Sequence, residues 1–77
     1  MTVHVVFRGP IRRPFEAPEQ AIETEEGTSV SRLLDMFGYS PEEQRAMVVH
    51  RNGTLARAFT RLQNGDRIEI AILMGGG

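Results

Sequence analysis

The residues with the clearest chemical potential are three consecutive glycines, Gly75, Gly76 and Gly77, at the end of the sequence. Glycine has no side chain, so such a run can thread a narrow channel and adopt backbone angles that other residues avoid. A carboxylate after the last glycine is ionised at neutral pH, because its ordinary pKa is about 3.3–3.7. It becomes an acylating group only when one oxygen is converted to a leaving group, as adenylation by ATP does. A sulfur or amine nucleophile can then take the acyl group.

The other residues that could act in catalysis do not form a recognisable active-site or metal-binding pattern. His4 and His50 lie in predicted strands without metal-ligand spacing, and Glu42 and Glu43 are explained by the dipole of a short helix. The chain has no cysteine, which excludes disulfides, zinc–thiolate sites and thiol nucleophiles. We therefore expect no catalysis by this chain alone, no metal site and no bound cofactor.

Length and composition narrow the class of protein. With 77 residues, 40% of them hydrophobic and 25% charged, the chain suits one small globular domain. The net charge of −1 gives no reason to expect nucleic acid, and no apolar run approaches the roughly 20 residues that span a bilayer. No secretory signal is recognisable at the start, so the expected compartment is the cytoplasm, with no membrane partner.

The first half of the chain predicts a hairpin followed by a helix. Residues 2–8 alternate as a half-buried strand, residues 9–18 hold three prolines and form a connection, and residues 20–24 form a second strand. Thr28 is the expected N-cap of a helix over residues 29–37, which Gly38 ends. The apolar stripe of this helix is Val30, Leu33, Leu34 and Phe37.

The second half predicts more strands. Ser40-Pro41-Glu42-Glu43 begins a short helical turn, and residues 46–50 are an apolar strand. Asn52-Gly53 is a tight-turn signal that leads to an edge strand over residues 54–56. Phe59 and Leu62 are expected to fill the core from an irregular connection. The last strand, residues 67–73, turns one face inward, formed by Ile68, Ile70 and Ile72.

This element order indicates an α+β, ubiquitin-like β-grasp fold. One main helix covers one face of a mixed four- to five-stranded sheet, with the first and last strands parallel and adjacent in the middle. Residues 1–77 are expected to form a single domain, with a flexible glycine tail over residues 74–77. On the sheet face away from the helix we expect an apolar partner-binding surface rimmed by charge, formed by Val6, Ala71, Leu73 and Met74.

Two motifs carry a resemblance to a known family. Glu26-Gly27-Thr28-Ser29-Val30 leads to Leu33-Leu34 and Phe37-Gly38, and Asn64-Gly65-Asp66-Arg67-Ile68-Glu69-Ile70 leads to the glycines. With the chain length and element order, they resemble the ubiquitin-like sulfur carrier proteins, the ThiS/MoaD family of thiamine and molybdopterin biosynthesis. The resemblance covers essentially the whole chain.

The resemblance implies a protein co-substrate rather than an enzyme. An adenylyltransferase similar to ubiquitin-activating enzymes would adenylate the carboxylate of Gly77 with ATP. A persulfide donor would then convert it to a thiocarboxylate, which delivers sulfur to an acceptor synthase. Gly75 and Gly76 would thread the partner active sites, and Gly76 would react instead if Gly77 were processed away.

The acceptor depends on the branch of the family. Ile72-Leu73-Met74-Gly75 lacks the proline-containing approach common in the molybdopterin branch, which favours a thiamine-type carrier acting with thiazole synthase. Residues 7–12 look more like the molybdopterin branch, where the partner is the large subunit of molybdopterin synthase. The alternatives are a carrier for another sulfur-containing metabolite, a ubiquitin-like modifier conjugated to lysines, and a β-grasp binding module with an inert tail.

Overall fold

The computed structural model describes residues 1–73, which form a five-stranded mixed sheet and two helices. The elements are β1 (Thr2–Arg8), β2 (Glu19–Glu23), α1 (Val30–Met36), α2 (Pro41–Arg45), β3 (Met47–Arg51), β4 (Thr54–Leu55) and β5 (Arg67–Ile72). The strand order is β2-β1-β5-β3-β4. Only the β1–β5 pair is parallel among these strands, and it lies in the middle of the sheet, as the sequence predicted.

The hydrophobic core lies between the sheet and α1. Ile68 and Ile70 of β5 are fully buried, and so are Val3 and Val5 of β1. Both strands alternate as predicted, so one face of each meets the helix. The rest of the core cluster is Phe7, Ile11, Val30, Leu33, Leu34, Phe37, Tyr39, Val49 and Leu62.

The ends of α1 differ slightly from the prediction. The N-cap is Ser29 rather than Thr28, because the Ser29 hydroxyl accepts a hydrogen bond from the Arg32 backbone N–H at 3.1 Å. The Thr28 hydroxyl instead donates to the Glu25 carbonyl at 2.6 Å, inside the preceding turn. Gly38 follows the helix with a φ of +82°, which a residue with a side chain rarely adopts.

The predicted helical turn after Ser40 and the predicted tight turn at Asn52-Gly53 are both confirmed. Ser40 and Glu43 form a reciprocal capping box at the start of α2. Asn52 and Gly53 both have positive φ, as the tight β3–β4 turn requires.

The prediction for Phe59 is wrong. Leu62 fills the core with 1% of its surface exposed, whereas Phe59 is 75% exposed. The reason is the backbone path, since residues 57–60 form a turn closed by a hydrogen bond from Thr60 N–H to Arg57 O at 3.0 Å. Phe59 lies at the outer corner of this turn, and the chain reaches the core only at Leu62.

Asp66 is a buried acid that ties three segments together. Its carboxylate accepts hydrogen bonds from Arg51 Nε at 2.6 Å, Asn52 Nδ2 at 3.0 Å and the Gln63 N–H at 2.7 Å. Burial acts to raise the pKa of Asp66, but these hydrogen bonds outweigh it and hold the pKa below its usual value. Asp66 therefore joins the β3–β4 turn to the start of β5.

No helix in residues 1–73 has the length and apolar character needed to span a membrane.

Replacing Asp66 with Asn should lower the free energy of unfolding by about 2 kcal/mol at pH 7, because charge-assisted hydrogen bonds are lost. The folded pKa lies below the ordinary value of about 3.9, so the carboxylate contributes fully above about pH 5. Its contribution is lost as the pH falls through 3.9 to the folded pKa. Urea denaturation followed by circular dichroism should show a larger loss from pH 6 to pH 3 in the wild type than in D66N. The matched control is D35N, at an exposed position on α1, and parallel pH profiles for wild type and D66N would contradict this assignment.

Candidate functional site

The site is built on the last strand, which carries the chain toward the glycine tail. β5 is hydrogen bonded to β1 on one side and β3 on the other. Beyond it, the Leu73 N–H donates to the Ala46 carbonyl at 2.6 Å. Because both neighbours hold the strand, the point at which the chain leaves the sheet is fixed.

The predicted tail residues lie outside the described part of the chain. These are Met74, Gly75, Gly76 and Gly77, and their roles stay predictions. Four residues span at most about 14 Å when fully extended. The proposed reacting group at Gly77 would therefore stay within about that distance of Leu73.

The apolar surface next to this exit is smaller than predicted. Leu73 is 65% exposed, and Ala71 is half-buried on the sheet face away from α1. Ala71 is paired with Arg8 of β1 and with Val48 of β3, which is also half-buried. On the sheet face away from α1, the accessible apolar residues beside the exit are thus Ala71 and Val48, with Leu73 directly after the strand.

The structure corrects the expectation that Val6 belongs to this apolar surface. Val6 lies on the same sheet face, but only 4% of its surface is exposed. Its cross-strand partners are Glu19 and Glu69. Along β1 its nearest neighbours on this face are His4 and Arg8. The stems of long charged side chains cover apolar surface while their charged ends stay in water. Val6 is therefore covered by its polar neighbours and does not belong to the accessible surface.

On this sheet face, Glu69 forms ion pairs with two arginines. Arg8 Nε lies 2.8 Å from Glu69 Oε2, and Arg67 Nε lies 3.2 Å from Glu69 Oε1. The hydrogen bond from Arg8, followed by that from Arg67, lowers the pKa of Glu69. Glu69 is therefore an ionised partner of two guanidinium groups and is poorly suited to act as a proton-transfer base.

A second cluster near the exit escaped the sequence prediction. The guanidinium of Arg12 stacks 4.9 Å from the centre of the Tyr39 ring, and its Nη2 lies 2.9 Å from Glu43 Oε1. The Tyr39 hydroxyl donates to the Arg12 carbonyl. Tyr39 directly precedes the capping box, a position at which an apolar residue often packs, and that position was the available signal. The cluster fastens the proline-rich connection, residues 9–18, to the start of α2.

Two pKa shifts follow from this cluster. Burial raises the pKa of the Tyr39 hydroxyl. The Ser40 backbone N–H, and then Arg12, lower the pKa of Glu43. Tyr39 is therefore a neutral donor and Glu43 an ionised acceptor near neutral pH, so both serve to position the connection.

The two histidines do not come together. His4 lies on the outer sheet face with its Nε2 3.8 Å from Glu19, and His50 lies in β3 opposite Leu55 and Glu69. Within residues 1–73, no three acidic or histidine side chains are grouped so that they could hold a metal ion.

A comparison with protein-family models matches the ThiS family over residues 5–77. The chain belongs to the ThiS family. Comparison with curated protein sequences found no match.

Solved structures support the fold of this ThiS family member. SAMP1 from Haloferax volcanii is 18% identical, with a TM-score of 0.75 over 100% of both chains. A protein from Pyrococcus furiosus, assigned as molybdopterin converting factor subunit 1, is 20% identical, with a TM-score of 0.72 over 92% of this chain and 95% of that one. A chain from the complex of subunits 1 and 2 of the Helicobacter pylori molybdopterin-converting factor is 23% identical, with a TM-score of 0.67 over 100% of both chains. These similarities show the ubiquitin-like β-grasp fold.

The different burial of Val6 and Leu73 can be tested by the same substitution at both positions. Val6→Asp should lower the free energy of unfolding by about 3 kcal/mol or more, because it buries an unpaired charge. Leu73→Asp should change it by no more than about 0.5 kcal/mol, since the side chain is exposed. Urea denaturation at pH 7 measures both. Equal effects would contradict the burial of Val6.

Proposed function

We propose that the chain is a sulfur carrier whose terminal glycine carboxylate is adenylated and then converted to a thiocarboxylate. The observation that carries this proposal is the family match, which extends through residue 77 and so includes the glycine tail. The geometry supports it, because β5 brings the chain to a fixed exit beside exposed Leu73. A short glycine tether from a rigid base lets a reacting carboxylate enter a partner's channel at a defined distance.

The proposed activation is a substitution at phosphorus. A carboxylate oxygen of Gly77 attacks the α-phosphorus of ATP, a new P–O bond forms and pyrophosphate leaves. The product is an acyl adenylate, in which AMP is a good leaving group at the carbonyl carbon. This step takes place in the active site of an adenylyltransferase, which supplies the ATP site.

The sulfur enters in two further steps. The terminal sulfur of a persulfide attacks the acyl carbon, AMP leaves and an acyl disulfide forms. A second thiol then reduces that S–S bond, which releases the carrier thiocarboxylate and leaves the two thiol sulfurs joined as a disulfide. If Gly77 is processed away, the carboxylate of Gly76 takes the same role.

In this proposal the chain is a protein co-substrate. Its partners are the adenylyltransferase, the persulfide donor and an acceptor synthase, and ATP is consumed by the first of these. The proposal assigns no cofactor or metal to the chain itself. The proposed compartment is the cytoplasm.

For the acceptor we propose a thiazole synthase of thiamine biosynthesis, because Ile72-Leu73-Met74-Gly75 has no proline. The large subunit of a molybdopterin synthase is the second candidate. It is favoured by the similarity of residues 7–12 to that branch, and by the Helicobacter pylori neighbour, a complex of two molybdopterin-converting factor subunits.

A modifier role uses the same activated tail with a different nucleophile. The Haloferax volcanii neighbour is a small archaeal modifier protein, which favours this candidate. A lysine amine that attacks the acyl carbon gives an isopeptide, whereas a persulfide gives a thiocarboxylate. The product thus separates the carrier from the modifier.

The carrier proposal predicts a defined change in mass. Incubation with ATP, the cognate adenylyltransferase and a persulfide donor should replace one carboxylate oxygen with sulfur in the C-terminal peptide, as measured by intact and peptide mass spectrometry. A chain lacking Gly76 and Gly77 should not react, and a chain lacking only Gly77 tests whether Gly76 can substitute. An unchanged mass with an enzyme that activates another carrier would contradict the proposal. An adduct on a lysine of another protein would favour the modifier.

The accessible surface beside the exit predicts a binding defect. Leu73→Asp should raise the KM of the carrier in ATP–pyrophosphate exchange about tenfold, because it places a charge in an apolar contact. The control is Met36→Asp, which alters an exposed apolar residue on α1 instead. An unchanged KM for Leu73→Asp would remove this surface from the adenylyltransferase interface.

A further inference from the structure

Phe59 is an exposed aromatic residue that neither the core nor the tail explains. Among residues 1–73 it is the most exposed of the large hydrophobic side chains, at 75%, compared with 65% for Leu73 and 61% for Leu55. Single exposed apolar residues are common, so exposure alone indicates little. The ordered backbone and the charged residues around Phe59 are what indicate a role in binding.

The backbone on both sides of Phe59 is held in place. Thr60 N–H donates to Arg57 O at 3.0 Å, and Arg57 N–H donates to the Thr60 hydroxyl at 2.9 Å. Ala58 O accepts from Ser31 N–H at the start of α1, at 2.9 Å. The ring therefore projects from an ordered turn, so binding through it orders little additional backbone.

The turn also cannot place Phe59 in the core without losing contacts that are already made. Leu62 occupies the core position, and its N–H donates to Thr28 O at 2.8 Å. Inward rotation of the turn would displace this fully packed side chain. The outward position of Phe59 is therefore the stable arrangement.

Positive charge flanks the ring. Arg57 and Arg61 lie two residues before and after it, and both are exposed. Arg61 lines a shallow groove together with Phe59, and its Nη1 is held by Gly27 O at 2.8 Å. The guanidinium keeps further N–H donors for a carboxylate. Because the whole chain carries a net charge of −1, this pair of arginines is a local feature.

The turn lies toward the end of the sheet at which β1 and β5 begin, because Arg61 lines a hollow together with Met1 and Asn64. Gly65 N–H donates to Thr2 O at 2.7 Å, and His4 N–H donates to Asp66 O at 2.8 Å, where β1 and β5 begin. The tail follows the other end of β5, six residues further along. That separation is about 20 Å along the strand. A partner can therefore contact the turn while it holds the tail.

We propose that Phe59, flanked by Arg57 and Arg61, is a second docking point for the adenylyltransferase, and that it inserts into an apolar pocket rimmed by carboxylates. This inference rests on the proposed carrier function. Glycines offer no side chains for recognition, so an enzyme that acts on the tail must select its carrier through the folded domain. An aromatic ring on a rigid turn between two arginines has the composition typical of residues that dominate binding energy. Acidic surface on the enzyme matches its charge.

ATP–pyrophosphate exchange with the enzyme that activates the wild-type chain tests this docking point. Phe59→Ser should raise the KM of the carrier about tenfold with kcat unchanged, because the ring contributes to binding and lies far from the reacting carboxylate. Arg61→Gln should raise KM about threefold at low salt and weaken its salt dependence. The matched control, Met36→Ser, should leave KM unchanged. Thermal melts should show all three variants folded.

The possible outcomes separate the competing explanations. An unchanged KM for Phe59→Ser, or an equal rise for Met36→Ser, overturns the docking point while the carrier function stands. If the wild-type chain is not adenylated, that result overturns the carrier function and the docking point with it. A dimer in sedimentation velocity that Phe59→Ser dissociates assigns the ring to a second copy and overturns the proposal. Binding of a dT oligonucleotide that Phe59→Ser abolishes, with KM unchanged, assigns it to nucleic acid and also overturns it.

Discussion

The parallel pairing of β1 with β5 is the interaction on which the rest of the structure depends. It joins the first and last strands of the chain, with His4 opposite Arg67 and Arg8 opposite Ala71. Closing so long a loop costs conformational entropy, and the burial of alternating valines and isoleucines against α1 offsets that cost. Because the glycines follow shortly after β5 in the sequence, the same pairing that completes the core also fixes where the chain leaves the sheet.

The two ends of this central pair have different surroundings. At the start of β5, Asp66 ties the strand to the β3–β4 turn and holds the polar connection in place. At the other end the chain leaves the sheet beside exposed Leu73, near the Arg12–Tyr39 cluster that fastens residues 9–18. The Asp66 end joins distant segments of the fold, and the exit end leads to the glycine tail. In our proposals the adenylyltransferase contacts both ends.

The chemistry proposed for the tail is general, and the partner decides its outcome. An acyl adenylate can be attacked by a persulfide or by an amine, and nothing in the glycines themselves selects one. In our proposals the selection comes from the surface that docks the domain, with Leu73 and Ala71 at the exit and Phe59 at the far end. The same fold occurs in a protein named as a subunit of molybdopterin-converting factor and in others named as modifiers.

Local sequence patterns were enough for the secondary structure and most of the core, and together with the element order they predicted the central parallel pair of strands. Alternation in β1 and β5, the stripe of α1, the capping box at Ser40 and the Asn52-Gly53 turn each depend on residues a few positions apart, where side-chain period and backbone preference act directly. The family, too, was recognisable from the sequence.

Only the tertiary structure decided that Val6 is covered, that Leu62 rather than Phe59 enters the core, and that Asp66 and Tyr39 organise distant segments. Each of these depends on groups brought together from far along the chain, as when the Tyr39 hydroxyl meets the Arg12 carbonyl 27 residues away. Such contacts leave no periodic signal, because burial and pairing are set by how the elements pack against each other.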